Sequence, residues 1–169
     1  LDENLHLQFN KINILKNSCF IIVSKSGNTL ETIANFSVVF SKSLFKNKLI
    51  FITEIKDNVL NNIADKFNAE IIEHKDFIGG RYSVLSEVGM FPAALMGLNI
   101  HKFKNLKKLI EDKNFVSSLI RNVASIYTLN TQGIKNSVIL NYDSDLNDLG
   151  YWYQQLVAES LGKKGKGIT

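Results

Sequence analysis

A loop of small hydroxyl residues around one glycine is the part of the sequence best suited to chemistry. An apolar run ends in Ser-Lys-Ser-Gly-Asn-Thr at positions 24–29, and helical spacing begins immediately afterwards. A strand, a tight polar loop and a helix N-terminus in this order favour an anion, most often a phosphate, because unpaired N–H groups and the helix dipole face the loop. Ser24, Ser26 and Thr29 add hydroxyl donors, and Gly27 permits positive φ or a close approach to a ligand.

The same loop also suits an ordinary helix cap. Asn28 or Thr29 can cap a helix with no ligand present. The loop lacks the G-x-x-x-x-G-K-[ST] spacing of a P-loop, and no G-x-G-x-x-G follows a candidate strand. If the loop binds an anion, these absences favour a sugar phosphate or another small phosphorylated metabolite over ATP or NAD.

A second candidate site is the segment Gly-Gly-Arg-Tyr-Ser at positions 79–83. Two glycines let the backbone turn sharply and project the guanidinium of Arg81. An arginine stays charged and can clamp a planar oxyanion through two parallel hydrogen bonds. The alternative is a structural loop in which Arg81 pairs with a carboxylate such as Glu87, and the residues alone leave both interpretations open.

A third candidate is a glutamate in the last turn of the helix predicted at 146–161. Gln155 and Glu159 are four positions apart and share a stripe away from the apolar face. The helix dipole opposes a negative charge in the last turn, which favours a carboxylate that accepts a proton, as a general base does. The alternative is an exposed Glu159 that pairs with Lys163, four positions further on.

Alternating strands and helices must position these residues. Apolar runs predict strands at 19–23, 49–53 and 70–73, and apolar residues at helical spacing predict helices at 30–44 and 58–67. Continuous apolar strands separated by helices predict an α/β fold with a parallel sheet flanked by helices. Beyond a loop at 76–86, the pattern predicts helices at 87–98, 101–112 and 115–131, a strand at 137–141, and the helix at 146–161.

The composition argues against several other classes. The chain has 169 residues, is 45% hydrophobic and carries a net charge of +4. No apolar run approaches the roughly 18 residues that span a bilayer. The first residues of this sequence have neither the basic start nor the apolar core that is typical of a signal peptide. The lone Cys19 excludes an internal disulfide and is predicted to be a buried strand residue. Together these features predict a cytoplasmic protein.

Metal and nucleic-acid sites are also disfavoured. The histidines His6, His74 and His101 are scattered and lack a cysteine or carboxylate cluster at ligand spacing. The lysines within 102–113 alternate with apolar residues at helical spacing, which is typical of a solvated helix face. No aromatic residues interleave with them as a nucleic-acid surface would require.

The three segments together resemble the glucose-6-phosphate isomerase (phosphoglucose isomerase) family. Residues 24–29, 79–83 and 154–163 occur in the order and approximate separation found in that family. Gly-Gly-Arg-Tyr-Ser is highly specific to it, whereas the hydroxyl loop also occurs across the wider group of sugar-isomerase (SIS) domains. The resemblance extends from the first strand to Lys163.

The resemblance implies interconversion of glucose 6-phosphate and fructose 6-phosphate through a cis-enediol(ate). The phosphate would be held by Ser24, Lys25, Ser26, Gly27, Asn28 and Thr29. Glu159 would move the proton between C2 and C1, and Arg81 would stabilise the negative charge that develops. Gln155 and Gly80 would contact the substrate. No metal or organic cofactor is expected. In the family, ring opening needs a later lysine and a histidine from the partner subunit of a homodimer, and neither can be assigned here.

The resemblance also implies a central fragment whose fold is incomplete at both ends. Residues 1–135 would be the first SIS domain without its N-terminal part but with a helical extension, and residues 136–169 would begin the second. Such a fragment is expected to be inactive alone. The alternative is a non-catalytic SIS-type module that binds a sugar phosphate. A module of that kind has no chemical need for Arg81 and Glu159.

Overall fold

Two groups of elements make up the part of the chain that the computed structural model describes, residues 18–41, 48–164 and 167. One group lies within Leu1–Leu95 and the other within Met96–Thr169. The first contains a parallel sheet, and the second is built from helices. Among the described residues, no helix has the length and apolar character needed to cross a membrane.

The sheet of the first group consists of three parallel strands in the order β1-β2-β3. They are β1 (Cys19–Val23), β2 (Lys48–Thr53) and β3 (Glu70–Glu73). In the register, Ile22 lies beside Phe51, and Phe51 lies beside Ile71. Ile50 and Ile52, which point to the other face, are buried as well. The continuous apolar run of β2 therefore reflects burial on both faces, and the predicted parallel α/β arrangement is confirmed.

Helices α1 (Leu30–Ser41) and α2 (Val59–Lys66) connect these strands. Phe51 is fully buried at the centre of a cluster that includes Leu60 of α2. Phe36 of α1 meets the Phe51 ring edge-on, with 5.8 Å between centroids. Each connection is thus a strand–helix–strand unit, which aligns the carboxyl ends of the strands at one edge of the sheet.

The first group ends in two short helical segments. A 3₁₀ helix spans Gly80–Leu85, and α3 spans Glu87–Leu95. The sequence predicted only a loop at 76–86, so the 3₁₀ helix is a correction. It forms because local bonds close tight turns: the Tyr82 N–H donates to the Gly79 carbonyl at 2.9 Å.

The second group contains the remaining elements. They are a 3₁₀ helix at Ile100–Leu106, α4 (Lys107–Glu111), α5 (Lys113–Thr131), a 3₁₀ turn at Ser144–Leu146, α6 (Asn147–Gln154) and a π-helical segment at Gln155–Glu159. The strand predicted at 137–141 is wrong, because no described segment pairs with it. Val138 and Leu140 are consequently 79% and 73% exposed. The start of a second domain at residue 136 stays a prediction.

Two smaller expectations also need correction. Cys19 lies in β1 as predicted but is exposed, since β1 has no further described strand on its outer side. The single helix predicted at 101–112 is divided into the 3₁₀ helix and α4, and Leu109 and Ile110 of α4 are exposed. Residues 42–44 of the helix predicted at 30–44 lie outside the described residues.

Candidate functional site

The hydroxyl loop leaves β1 at the carboxyl edge of the sheet and is braced there by β2. The Ser24 N–H donates to the Ile52 carbonyl, and the Glu54 N–H donates to the Lys25 carbonyl, each at 3.1 Å. Within the loop, the Gly27 N–H donates to the Ser24 carbonyl at 3.1 Å. The loop is therefore fixed at a sheet edge, the usual position of ligand sites in open α/β sheets.

Gly27 allows the loop to pack directly against Asn58. Its φ is +69°, and a Cβ at this position would lie 2.1 Å from Oδ1 of Asn58. Asn58 itself is buried. It caps α2, because its Oδ1 accepts a hydrogen bond from the Asn61 N–H at 2.8 Å. The glycine is thus required twice, for its backbone conformation and for the space.

The loop presents several donors that no described residue occupies. The hydroxyl groups of Ser24 and Thr29 form a hydrogen bond with each other at 2.7 Å, which leaves one of their two protons to donate. Ser26 Oγ accepts a hydrogen bond from the Asn28 N–H, which leaves the Ser26 hydroxyl proton to donate. Within the described ranges, no acceptor binds the backbone N–H groups of Lys25, Ser26 and Thr29. With the first turn of α1, these groups can surround an anion.

Asn28 has a different task from the hydroxyl residues around it. Its Oδ1 accepts a hydrogen bond from the Val59 N–H at 3.0 Å, and the Leu60 N–H donates to the Gly27 carbonyl at 3.1 Å. The loop thereby satisfies two N–H groups at the start of α2. The expected capping role of Asn28 is present, but on the following helix instead of its own.

Lys25 joins the loop to the arginine segment. Its ammonium group donates to the carbonyl oxygens of Asp76 at 2.6 Å and of Ile78 at 2.8 Å, and lies 3.6 Å from Glu54 Oε1. These contacts engage the donors of the ammonium group. The structure therefore brings two of the three predicted segments together, residues 24–29 and 79–83.

Glu54 balances the charge beside the loop. Its carboxylate accepts a hydrogen bond from Lys56, and this bond together with the charges of Lys56 and Lys25 lowers the pKa of Glu54 against the opposing effect of desolvation. The ionised carboxylate offsets the Lys25 ammonium. An anion in the loop would hence be held mainly by N–H and O–H donors, and less by a nearby cation.

The arginine segment is anchored mainly by its own turns. Ser83 is buried and its hydroxyl donates to the Gly80 carbonyl at 2.6 Å. Arg81 lies half-buried in the first turn of the 3₁₀ helix. Glu87, its suggested alternative partner, contacts Nδ1 of His74 through Oε1. A Cβ at Gly80 would meet no described atom within 4 Å, so Gly80 borders open space that a ligand could fill.

Gln155 and Glu159 lie in the second group of elements, at the two ends of the π-helical segment that follows α6. Both are exposed. A π-helical turn holds more residues than an α-helical turn and is frequent at functional sites. The sequence predicted one continuous helix here, because apolar residues keep ordinary helical spacing through the segment and give no signal of the wider turn.

A comparison with protein-family models identifies the chain. The model described as "Phosphoglucose isomerase" matches residues 2–168. The chain belongs to the phosphoglucose isomerase family. The family membership that the three segments predicted is confirmed.

Curated relatives of the chain carry the corresponding names. A glucose-6-phosphate isomerase of Methanocaldococcus jannaschii is 35% identical over 92% of this chain and 40% of the relative. A probable glucose-6-phosphate isomerase of Methanococcus maripaludis is 36% identical over 99% of this chain and 40% of the relative. The glucose-6-phosphate isomerase of Leptospira interrogans is 31% identical over 90% of this chain and 37% of the relative. The chain thus spans about 40% of the length of these curated relatives.

A solved structure also matches the fold. The crystal structure of a hypothetical protein from Thermus thermophilus has a TM-score of 0.79 and 25% identity, and the match covers 99% of this chain and 43% of that one. The predicted sugar-isomerase type of α/β fold is consistent with this match.

Proposed function

We propose that the full-length protein containing these residues is a glucose-6-phosphate isomerase. It would interconvert glucose 6-phosphate and fructose 6-phosphate in glycolysis and gluconeogenesis. The observation that carries the proposal is the Lys25 bridge, which ties a phosphate-type loop to the backbone of Asp76 and Ile78, directly before the Gly79–Ser83 segment, in a chain of this family. A phosphate anchor beside a fixed arginine suits a reaction in which one end of a sugar phosphate is bound and charge develops at the other.

The hydroxyl loop is the proposed phosphate site. Side-chain donors come from Ser24, Ser26 and Thr29, and backbone donors come from the unoccupied N–H groups of the same loop. Gly27 and Asn28 contribute by shaping the loop on α2, and Lys25 contributes its backbone N–H. Each hydrogen bond to the charged phosphate is worth about 1.5–3 kcal/mol, so several together can anchor the substrate.

Arg81 and Gly80 are proposed to act at the reacting end of the sugar. Gly80 borders open space, so its backbone can approach the substrate closely. The guanidinium of Arg81 remains positive throughout the reaction. A fixed positive group near the substrate oxygens stabilises the enediolate more strongly than the neutral sugar, which lowers the barrier.

Glu159 is the proposed base. It takes the proton from C2 of open-chain glucose 6-phosphate, and the electron pair of the broken C–H bond forms the cis-enediolate as the C1 carbonyl oxygen becomes negative. Return of the proton to C1 and transfer of the O2 proton to O1 give fructose 6-phosphate. Gln155, at the other end of the same π-helical segment, contacts the sugar. Proton transfer of this kind contributes about 10²–10⁴-fold to rate.

Ring opening and assembly complete the proposal. The histidine and lysine that assist ring opening are not assigned to residues of this chain, and the homodimer that supplies the histidine stays a prediction. A cytoplasmic location likewise stays a prediction. No metal or organic cofactor has a part in the proposed reaction.

The decisive variant is Glu159→Gln in the full-length protein. It keeps the size and hydrogen bonding of the side chain but removes the base, so we expect isomerisation to fall at least about 10²-fold while sugar-phosphate binding is retained. Glu111→Gln changes an exposed helical glutamate that pairs with Lys107 and serves as the matched control. Unchanged turnover in Glu159→Gln would refute the base assignment.

A substrate panel separates the alternatives. Turnover of hexose 6-phosphates supports the proposal. Turnover confined to another sugar phosphate would assign the chain to a different isomerisation. Tight binding of glucose 6-phosphate by the wild-type protein without any turnover would support the non-catalytic module instead.

A further inference from the structure

The carbonyl oxygen of Ile78 accepts two side-chain hydrogen bonds, one from a lysine and one from a histidine. Lys25 Nζ lies 2.8 Å from this oxygen, and His74 Nε2 lies 3.2 Å from it. Ile78 directly precedes Gly79 and Gly80, the two most permissive residues of the arginine segment. Its carbonyl therefore anchors the backbone directly before the two glycines, ahead of the turn that Ser83 closes on the Gly80 carbonyl.

His74 is fixed on every side. The residue is 2% exposed, and its backbone N–H donates to the Thr53 carbonyl at 2.8 Å, which extends the pairing of β3 with β2. Its Nδ1 contacts Oε1 of Glu87, in the first turn of α3. One buried ring thus ties together β3, the start of the arginine segment and α3.

The orientation of the ring follows from its partners. A carbonyl oxygen only accepts, so the hydrogen bond to Ile78 assigns Nε2 as its donor. The contact between Nδ1 and Oε1 of Glu87 holds the ring orientation that aims Nε2 at Ile78.

We infer that His74 is a positioning residue for the isomerisation. Together with Lys25 it fixes the Ile78 carbonyl and so sets the Gly79–Arg81 turn at a defined place relative to the phosphate loop. Without that anchor, the turn keeps its internal bonds but is held less firmly against β3 and the phosphate loop, and Arg81 would spend less time where the enediolate forms. The inference rests on the proposed function, because it concerns the arginine of that reaction.

Two isosteric substitutions test the two side-chain hydrogen bonds of His74 one at a time. In His74→Gln the side-chain amide nitrogen takes the place of Nε2 and keeps a donor for the Ile78 carbonyl. In His74→Asn the amide nitrogen takes the place of Nδ1 and keeps a donor for Glu87, but the Ile78 bond is lost. In the full-length protein we expect His74→Asn to lower kcat about 10- to 100-fold with KM changed less than about threefold. His74→Gln should stay within about threefold of the wild-type kcat.

Binding measurements add a second readout. A five-carbon sugar-acid phosphate carries a planar carboxylate that resembles the enediolate, whereas a hexitol phosphate offers only the phosphate and hydroxyl groups. His74→Asn should weaken binding of the sugar acid in proportion to its loss of kcat and leave binding of the hexitol phosphate unchanged. If the role of His74 were purely structural, His74→Asn would weaken the binding of both ligands or of neither.

The controls distinguish failure of the inference from failure of the proposed function. His101→Asn makes the same change at an exposed histidine and should behave as wild type. An inactive wild-type protein would refute the proposed function itself. An active wild type with equal kcat in His74→Asn and His74→Gln would refute only the inference. If His74→Asn does not fold, Lys25→Met removes the other donor to the same carbonyl. A fall in kcat of less than about tenfold in that variant would then refute the inference.

Discussion

Replacing Gly27 with alanine should disturb both the phosphate loop and the helix behind it. The new Cβ would lie 2.1 Å from Oδ1 and 2.2 Å from Cγ of Asn58. Asn58 cannot easily move away, because it is 4% exposed and its amide donates to the Glu54 carbonyl at 3.1 Å while Oδ1 caps α2 through the Asn61 N–H. The clash must therefore be relieved by breaking these bonds or by moving the loop.

The size of the effect follows from three contributions. A non-glycine residue at φ of +69° costs about 1–2 kcal/mol. Displacing a capping asparagine costs about 1 kcal/mol, and leaving its buried partners unsatisfied adds about 1 kcal/mol or more. We therefore expect Gly27→Ala to lower the free energy of unfolding by about 3–4 kcal/mol and to raise KM for the sugar phosphate.

Urea denaturation followed by circular dichroism measures this change. Gly97→Ala is the matched control, since Gly97 has a φ of +82° but no described atom near its Cβ position, and it should lose only about 1–2 kcal/mol. Asn58→Ala removes the clash, so the double variant with Gly27→Ala should be less destabilised than the sum of the single variants by about 1–2 kcal/mol. Equal losses in Gly27→Ala and Gly97→Ala, or strict additivity with Asn58→Ala, would refute the steric argument.

Three further predictions concern the loop and the length of the chain. Thr29→Val removes one proposed phosphate donor at constant shape and should raise KM about tenfold, or about 1.4 kcal/mol, at nearly constant kcat in steady-state kinetics; a change confined to kcat would contradict it. Glu54 has a lowered pKa, so its stabilising effect is present above its ordinary value of 4.5 and is lost as the pH falls through the lower value of the folded state. Glu54→Gln should accordingly lose stability near neutral pH but match the wild type in strong acid, and a difference independent of pH would argue against the ion pairs. Residues 1–169 expressed alone should not isomerise glucose 6-phosphate in a coupled assay, and robust turnover would contradict the fragment interpretation.

The sheet could be predicted from the sequence because its strands are short apolar runs. The residues of β1 and β3 were predicted without error, and those of β2 to within one residue. Parallel strands buried on both faces, separated by amphipathic helices, leave few other architectures. The strand expected at 137–141 has the same apolar character but no described partner, and a strand without a partner has no ladder of hydrogen bonds.

The candidate site could be predicted only in part. Residue types marked the loop and the Gly-Gly-Arg segment, since glycine, hydroxyl and guanidinium groups carry chemistry that can be recognised locally. The structure adds how they are joined. Lys25 and His74 act on the backbone carbonyl of Ile78, and any residue can supply a carbonyl, so the sequence holds no signal for that acceptor.

The capping of α2 by the loop was missed for a similar reason. Asn28 lies 31 positions before Val59, whose N–H it binds, and only the fold brings them together. The π-helical segment around Glu159 was missed because a single inserted residue does not interrupt the apolar spacing of a helix.

Proton transfer by Glu159 between C2 and C1 of a hexose 6-phosphate can be followed with solvent deuterium. The full-length protein is incubated with glucose 6-phosphate in deuterated water, and the sugar is followed by NMR. We expect deuterium to enter fructose 6-phosphate at C1, since a protonated base exchanges with solvent, and we expect Glu159→Gln to abolish this incorporation. Unchanged deuterium incorporation by Glu159→Gln would show that Glu159 is not the base.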